Sequence, residues 1–308
     1  MDLTPNEDQI ALQTATVAWC RDNMALENCR SRPEALWGEL EAMGWTGMTA
    51  SGMDLDHATE ALVFAELGRF LAPIGLISTA VASRWAPDGA GGKVALALPA
   101  SNPDSLRVLD SVGAQMALVA GSESLGLCAL PAASFDDGAT ERQAPDTPTI
   151  DLSTVQRRCA GRDPKLTGGD PRALLHLQLL SAAFAVGCAD AARDMAADYA
   201  RLREQFGRPI GWFQSLKHMC SDMAVRAAAA RSQLYYAACA LDENAPDAAF
   251  HVAAAKRLAD LAALDNGRAN IQVHGGIGMT DEAAAHLPLK RAHLLQFIAP
   301  AGRETLLA

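Results

Sequence analysis

None of the seven cysteines (Cys20, Cys29, Cys128, Cys159, Cys188, Cys220, Cys239) stands in a C-x-x-C pair, and their number is odd. Thiols scattered in this way give neither a disulfide framework nor a zinc site, so they read as small buried hydrophobes and no metal is expected. A run of 18 apolar residues is also missing. The opening residues, MDLTPNEDQIALQ, are acidic and polar where a secretory leader would be basic and then apolar. The expectation is a cytoplasmic protein with no membrane partner. Basic excess is lacking too: 26 Lys and Arg stand against 36 Asp and Glu, a formal charge of -10. That balance argues against nucleic acid as the main partner and leaves room for local basic sites. No internal repeat or low-complexity tract is present.

What is there is a chain of 308 residues, half of them hydrophobic, long enough for a large core or for two to three small layers. Its texture changes twice. Residues 5–84 are helical in pattern, with EALWGELEAMGW and ATEALVFAELGRFLAPIG carrying apolar residues at three- and four-residue spacings. From 89 to 165 come short apolar runs between turn formers: KVALAL, LRVLD, QMALVA, LGLCAL and, after DDGATERQAPDTP, TIDLSTVQRR. These predict a small β domain of five to seven strands. From 170 onward helix returns, and Leu216, Met219, Met223, Ala227, Ala230, Leu234, Ala238 and Leu241 trace one face of a long helix. With alanine-rich segments before and after it, three long antiparallel helices are expected. The fold class read from this order is mostly α with a small β domain, divided as residues 1–88, 89–165 and 166–308.

Between two of the long helices lies REQFGRPIGWFQ, residues 203–214. Gly207 and Pro209 are expected to end the helix that carries Arg203, and Ser215 to cap the next one. The corner would gather Arg203, Phe206 and Gln214 at one end of two helices, a place to hold an anion attached to a flat organic group. A solvated arginine on a helix hairpin is the plainer alternative. A second stretch, IQVHGGIGMTDE at 271–282, follows a long helix with two adjacent glycines, whose bare backbone lets amides approach a ligand.

Taken together and in this order, YARLREQFGRPIGWFQSLKHMCSDM and IQVHGGIGMTDE resemble the acyl-CoA dehydrogenase family. LWGELEAMGW and ELGRFLAP, near the front, are similar to its N-terminal helical domain, so the likeness covers nearly the whole chain. It implies an N-terminal helical domain, a middle β domain and a C-terminal four-helix bundle. It implies FAD as cofactor and oxidation of the Cα–Cβ bond of an acyl-CoA thioester, with FAD lying across a subunit interface. On that resemblance Arg203 pairs with the FAD diphosphate, Phe206 packs on the cofactor and Gln214 hydrogen-bonds the adenosine half. Gln272 and the backbone of Val273, His274, Gly275 and Gly276 complete the half-site. A guanidinium and close backbone amides are what a pyrophosphate requires.

The chain departs from the family where the chemistry happens. Dehydrogenation needs a carboxylate for the α-proton, a flavin for the β-hydride and hydrogen bonds to the thioester oxygen. Counting along LKRAHLLQFIAPAGRETLLA puts Ala299 where the family's usual glutamate stands. The alternative position, counted back from Arg203, falls on Leu177, flanked by His176 and Gln178. No catalytic residue is therefore assigned; His176 and Glu304 are weak substitutes, and Asp260 and Asp265 read as the polar face of a helix. LPASNPDSLRV stands where the family has a Glu-Pro-x-x-Gly-Ser-Asp-like loop, and no tryptophan lies between Trp85 and Trp212. The chain thus resembles the shorter, base-lacking member of the heteromeric α2β2 acyl-CoA dehydrogenases of bacterial steroid catabolism. That likeness implies a longer homologous partner chain carrying the base, a bulky acyl-CoA substrate such as a steroid side-chain thioester, and an electron-transfer flavoprotein or similar acceptor. Three other readings remain: a structural subunit without flavin, a self-sufficient homotetramer with an unorthodox base, and a helical interaction module.

Overall fold

The computed structural model describes residues 3–53, 55–87, 91–100, 105–121, 125–130, 147–151, 153–160 and 170–307. Most of DDGATERQAPDTP, and residues 101–104 within LPASNPDSLRV, lie outside them. The described elements follow the order helices, sheet, helices.

Two compact units emerge, and packing groups the elements differently from the texture along the chain. One unit comprises residues 1–29, 57–72 and 178–308. It holds α1 (Glu7–Asn23), α3 (His57–Arg69), most of α5 (Pro171–Leu202), α6 (Gln214–Asp242), α7 (Ala248–His274), α8 (Leu287–Leu295) and α9 (Arg303–Leu307). Helix α1 starts on a capping box: the Asn6 side chain accepts from the Gln9 amide at 2.8 Å and Gln9 Oε1 accepts from the Asn6 amide at 3.0 Å. Helices α3 and α5 cross in close contact. A Cβ on Gly187 would stand 2.1 Å from the Ala65 carbonyl oxygen, and one on Gly68 2.5 Å from Phe184 Cα, so only glycine fits. Buried Asn266 ties three helices together, its Nδ2 donating to Ala189 O at 3.1 Å and Met223 O at 3.0 Å. The α6 stripe expected from spacing is the inward face, with Met223, Ala227, Ala230, Leu234, Ala238 and Leu241 all buried. By length and composition α5 could cross a membrane, but 89% of its most apolar window is buried inside the chain, the place of a core helix.

The other unit comprises residues 30–56 and 73–177. It contains α2 (Leu36–Ala42), α4 (Gly75–Trp85), the first turns of α5 and a six-stranded sheet in the order β4-β3-β1-β2-β6-β5. The strands are β1 (Val94–Pro99), β2 (Ser105–Leu109), β3 (Met116–Ala120), β4 (Leu125–Ala129), β5 (Thr147–Pro148) and β6 (Val155–Ala160). All neighbours are antiparallel except β1 and β3. Each apolar run singled out above becomes a strand, and in TIDLSTVQRR strand β6 begins at Val155 after a turn at Asp151, which accepts from the Ser153 amide and hydroxyl. The period-two pattern gives the sheet two apolar faces. Ala95, Ala97, Leu106, Val108, Ala117, Val119 and Cys159 form one core, and α4 covers the other face, anchored by Ser78 Oγ donating to Val94 O at 2.6 Å.

Candidate cofactor half-site

Helix α5 ends at Leu202, so Arg203 is the first residue beyond the helix; its amide still donates to Tyr199 O at 2.8 Å. The expected helix stop at Gly207 and Pro209 is replaced by a short β-hairpin, β7 (Glu204–Gln205) with β8 (Arg208–Pro209). Its two central residues, Phe206 and Gly207, have φ of 54° and 75°. Two successive left-handed residues make the turn whose twist matches a hairpin, which is why the chain reverses here as a strand pair. Left-handed backbone costs a non-glycine residue roughly 1–2 kcal/mol. The phenyl ring it carries is 87% exposed at the tip and meets Phe213 edge-on, ring centroids 6.0 Å apart.

The hairpin returns through a 3-10 turn, Ile210–Trp212, held against α5 because Gly211 has no side chain: a Cβ there would lie 2.9 Å from Ala200 O. Helix α6 then starts at Gln214, with Phe213 in the cap position and no side-chain cap. Ser215 is therefore not the cap. It already sits inside the first turn, because the amides of Leu216 and Lys217 both bond to Phe213 O at 3.1 Å. Gln214 is exposed beside this uncapped, electropositive helix start.

The second stretch packs against the end of α5, and one of its contacts there is aromatic. The His274 ring stacks on Tyr199, centroids 4.1 Å apart at 24°, and its Nδ1–H donates to Asn270 O at 2.8 Å. Val273 packs into a cluster with Ala192, Ala196, Ala200 and Met223. Helix α7 is thereby pinned to the end of α5, one turn before Arg203. Gly275 follows with φ 67° and ψ -146°, a conformation essentially reserved for glycine. A Cβ on Gly276 would meet nothing within 4 Å, so the peptide backbone here faces open space. Gln272, Gly275 and Gly276 are exposed, as is Arg203. Tyr199, Gly211 and Asn270 escaped the sequence reading; Tyr199 stood inside the quoted motif, but nothing in a linear string signals a ring stack.

The positions that counting matched to the family's base are sealed. Leu177 and His176 are fully buried, and Trp85 Nε1 donates to His176 Nδ1 at 3.1 Å, occupying a ring lone pair that a base would need. Ala299 is buried at φ 43°, and Gln178 Nε2 donates to its carbonyl at 3.0 Å and to that of Pro300 at 3.2 Å. Asp260 is not a solvated face residue: both its oxygens lie 2.6 Å from the buried Lys256 ammonium, and burial pushes its carboxyl up. Asp265 pairs with Arg268 at 3.0 Å, and Glu304 is exposed on α9.

Comparison with known proteins places this arrangement. Residues 172–299 match the family described as "Acyl-CoA dehydrogenase, C-terminal domain". The acyl-CoA dehydrogenase IpdE2 of Mycobacterium tuberculosis is 32% identical over 295 residues, which span 92% of this chain and 87% of that protein. The chain belongs to the acyl-CoA dehydrogenase family. Membership makes it a flavin-dependent oxidoreductase, and the family's cofactor is FAD. Among solved structures, the ChsE4-ChsE5 complex of Mycobacterium tuberculosis aligns with a TM-score of 0.72 at 21% identity, over 96% of this chain and 94% of that one. The Tcur3481-Tcur3483 steroid ACAD aligns with a TM-score of 0.77 at 24% identity, over 98% and 96%. At such identities the likeness is one of fold.

The donor set fits one half of FAD. A free guanidinium, an uncapped helix start and an open glycine backbone suit a diphosphate, and an exposed ring and carboxamide suit what is attached to it. Nothing at Ala299, Leu177 or His176 supplies the carboxylate that the reacting end requires.

Proposed function

We propose that this chain is one subunit of a heteromeric acyl-CoA dehydrogenase, donating the adenosine-diphosphate half of a FAD site that a longer homologous chain completes. The observation that carries the reading is the contrast between an open half-site at 203–214 and 272–276 and a methyl group, Ala299, at the position of the base. Arg203 neutralises the diphosphate, Phe206 covers the cofactor, and Gln214 and Gln272 orient the adenosine. The amides around His274, Gly275 and Gly276 close on the phosphates. When bound, FAD supplies the acceptor for the hydride leaving Cβ. The carboxylate that takes the α-proton comes from the partner chain, in an α2β2 arrangement. The similarity to IpdE2 and to a protein described as a steroid ACAD supports a bulky acyl-CoA, such as a steroid side-chain thioester, as the substrate class. An electron-transfer flavoprotein or similar acceptor would reoxidise the flavin.

The test is the absorption spectrum of the chain purified alone, with flavin per chain quantified. Little FAD in a folded protein, restored on co-expression with a full-length homologue and lost again with Arg203→Ala, is the expected result. Stoichiometric FAD in the isolated chain would sink the shared-site reading.

A further inference from the structure

The cations around the half-site exceed what a diphosphate needs. Arg203, Arg208 and Lys217 are all exposed, and none has a carboxylate within ion-pairing distance among the described residues. Six other cations of the same unit are paired. Arg69, Arg193, Arg201, Arg231, Lys256 and Arg268 each face an acid, as expected in a chain with 36 acids for 26 bases. Arg203 with the neighbouring amides answers a diphosphate, which leaves Arg208 and Lys217 over.

Those two converge on one ring. The Arg208 guanidinium lies 5.3 Å from the Trp212 ring centroid, reaching it from the hairpin, and Lys217 Nζ lies 5.6 Å from it, reaching it from α6. Both distances are those of cation–π contacts, so the indole holds the two charges on one patch of surface. Trp212 is nevertheless 62% exposed, and Leu202 nearby in the chain is 80% exposed. A large aromatic flanked by unpaired cations is the composition of an interface centre, where tryptophan and arginine contribute most of the binding energy.

We propose that Trp212, Arg208 and Lys217 form a docking site for an acidic polypeptide segment. It rests on the shared-site reading only for whose segment this is: that of the chain which completes the FAD site. The chain as a whole carries a net charge of -10, which repels such a segment, so this patch attracts it locally and orients the partner toward the half-site.

A fluorescently labelled octaglutamate peptide, titrated against the full chain by anisotropy, tests the site, with ADP titrated separately by calorimetry. The expected result is peptide binding that weakens at least about tenfold in Arg208→Glu/Lys217→Glu and at about 0.5 M NaCl. Trp212→Ala weakens it too, Trp212→Phe retains it, and ADP affinity is unchanged in the double variant. Equal peptide binding by wild type and double variant overturns the proposal. So does one-for-one displacement of the peptide by ADP, which makes the patch part of the nucleotide site. A salt-sensitive homodimer abolished by the double variant also overturns it, by naming a second copy as the occupant. Loss of ADP binding alone in wild type, with the peptide still bound, overturns the FAD half-site and leaves the docking site standing.

Discussion

Two segments of the helical unit, the corner at 203–214 and the stretch at 295–300, meet opposite fates. At the corner the polar groups are left open, an arginine with no acid partner among the described residues and an uncapped helix, beside a phenyl ring held outward on left-handed backbone. At 295–300 they are consumed. Lys256 Nζ donates to Leu295 O at 3.0 Å, Ser181 Oγ to Ile298 O at 3.4 Å, and Gln178 to Ala299 O and Pro300 O. Buried carbonyls with partners stabilise a fold, whereas exposed donors without partners cost little and stay available to a ligand. The comparison teaches that the segment around Ala299 is built as structure, while the corner is built as a surface.

Substitutions should separate the two. The largest effect belongs to Lys256→Met, which leaves Asp260 buried without its cation; a loss of about 3–5 kcal/mol is expected, read as the shift of the urea unfolding midpoint. An unchanged midpoint would break the comparison at its firmest point. Arg203→Ala should do the converse: unfolding within about 0.5 kcal/mol of wild type, but ADP affinity at least about tenfold weaker by calorimetry. Gln178→Ala strips donors from two carbonyls and should cost about 1–2 kcal/mol without altering ADP affinity. At the hairpin tip, Phe206→Gly should be more stable than Phe206→Ala by about 1 kcal/mol, because alanine keeps the left-handed cost that glycine avoids. The smallest effect is a pH dependence. Burial and the nearby Arg268 charge hold the His293 imidazole below its ordinary range, so the folded state binds fewer protons than the unfolded chain. Stability is then full above the ordinary histidine range and declines as pH falls toward the depressed value. His293→Gln should flatten that slope in a thermal-melt series.

The parts of this molecule written in periodicity were legible before any coordinates. The α6 stripe and the apolar runs of the sheet state which side faces inward, and burial follows them. Ala299 was singled out by counting alone, to which the structure adds that the position is buried. The corner was misread because Gly207 and Pro209 signal only that a helix ends; the pairing of Glu204 with Pro209 depends on the backbone of Phe206, a residue with no propensity for left-handed geometry. The grouping of α2 and α4 with the sheet, and of α1 and α3 with the C-terminal helices, was hidden for another reason. Amphipathic spacing tells a helix that it has a partner and not which one.

The stack of His274 on Tyr199 has a consequence for the energetics of capture. Because the Arg203 amide hangs from the Tyr199 carbonyl and the Gly275 peptide follows His274 directly, the ring stack, the adjoining Val273 cluster and one hydrogen bond together set both jaws of the proposed clamp. Their separation is fixed when the chain folds, so a ligand gripping both loses little further loop entropy on arrival. Weakening the stack would leave every donor present and make each one arrive separately, slowing nothing at first encounter and shortening how long the ligand stays.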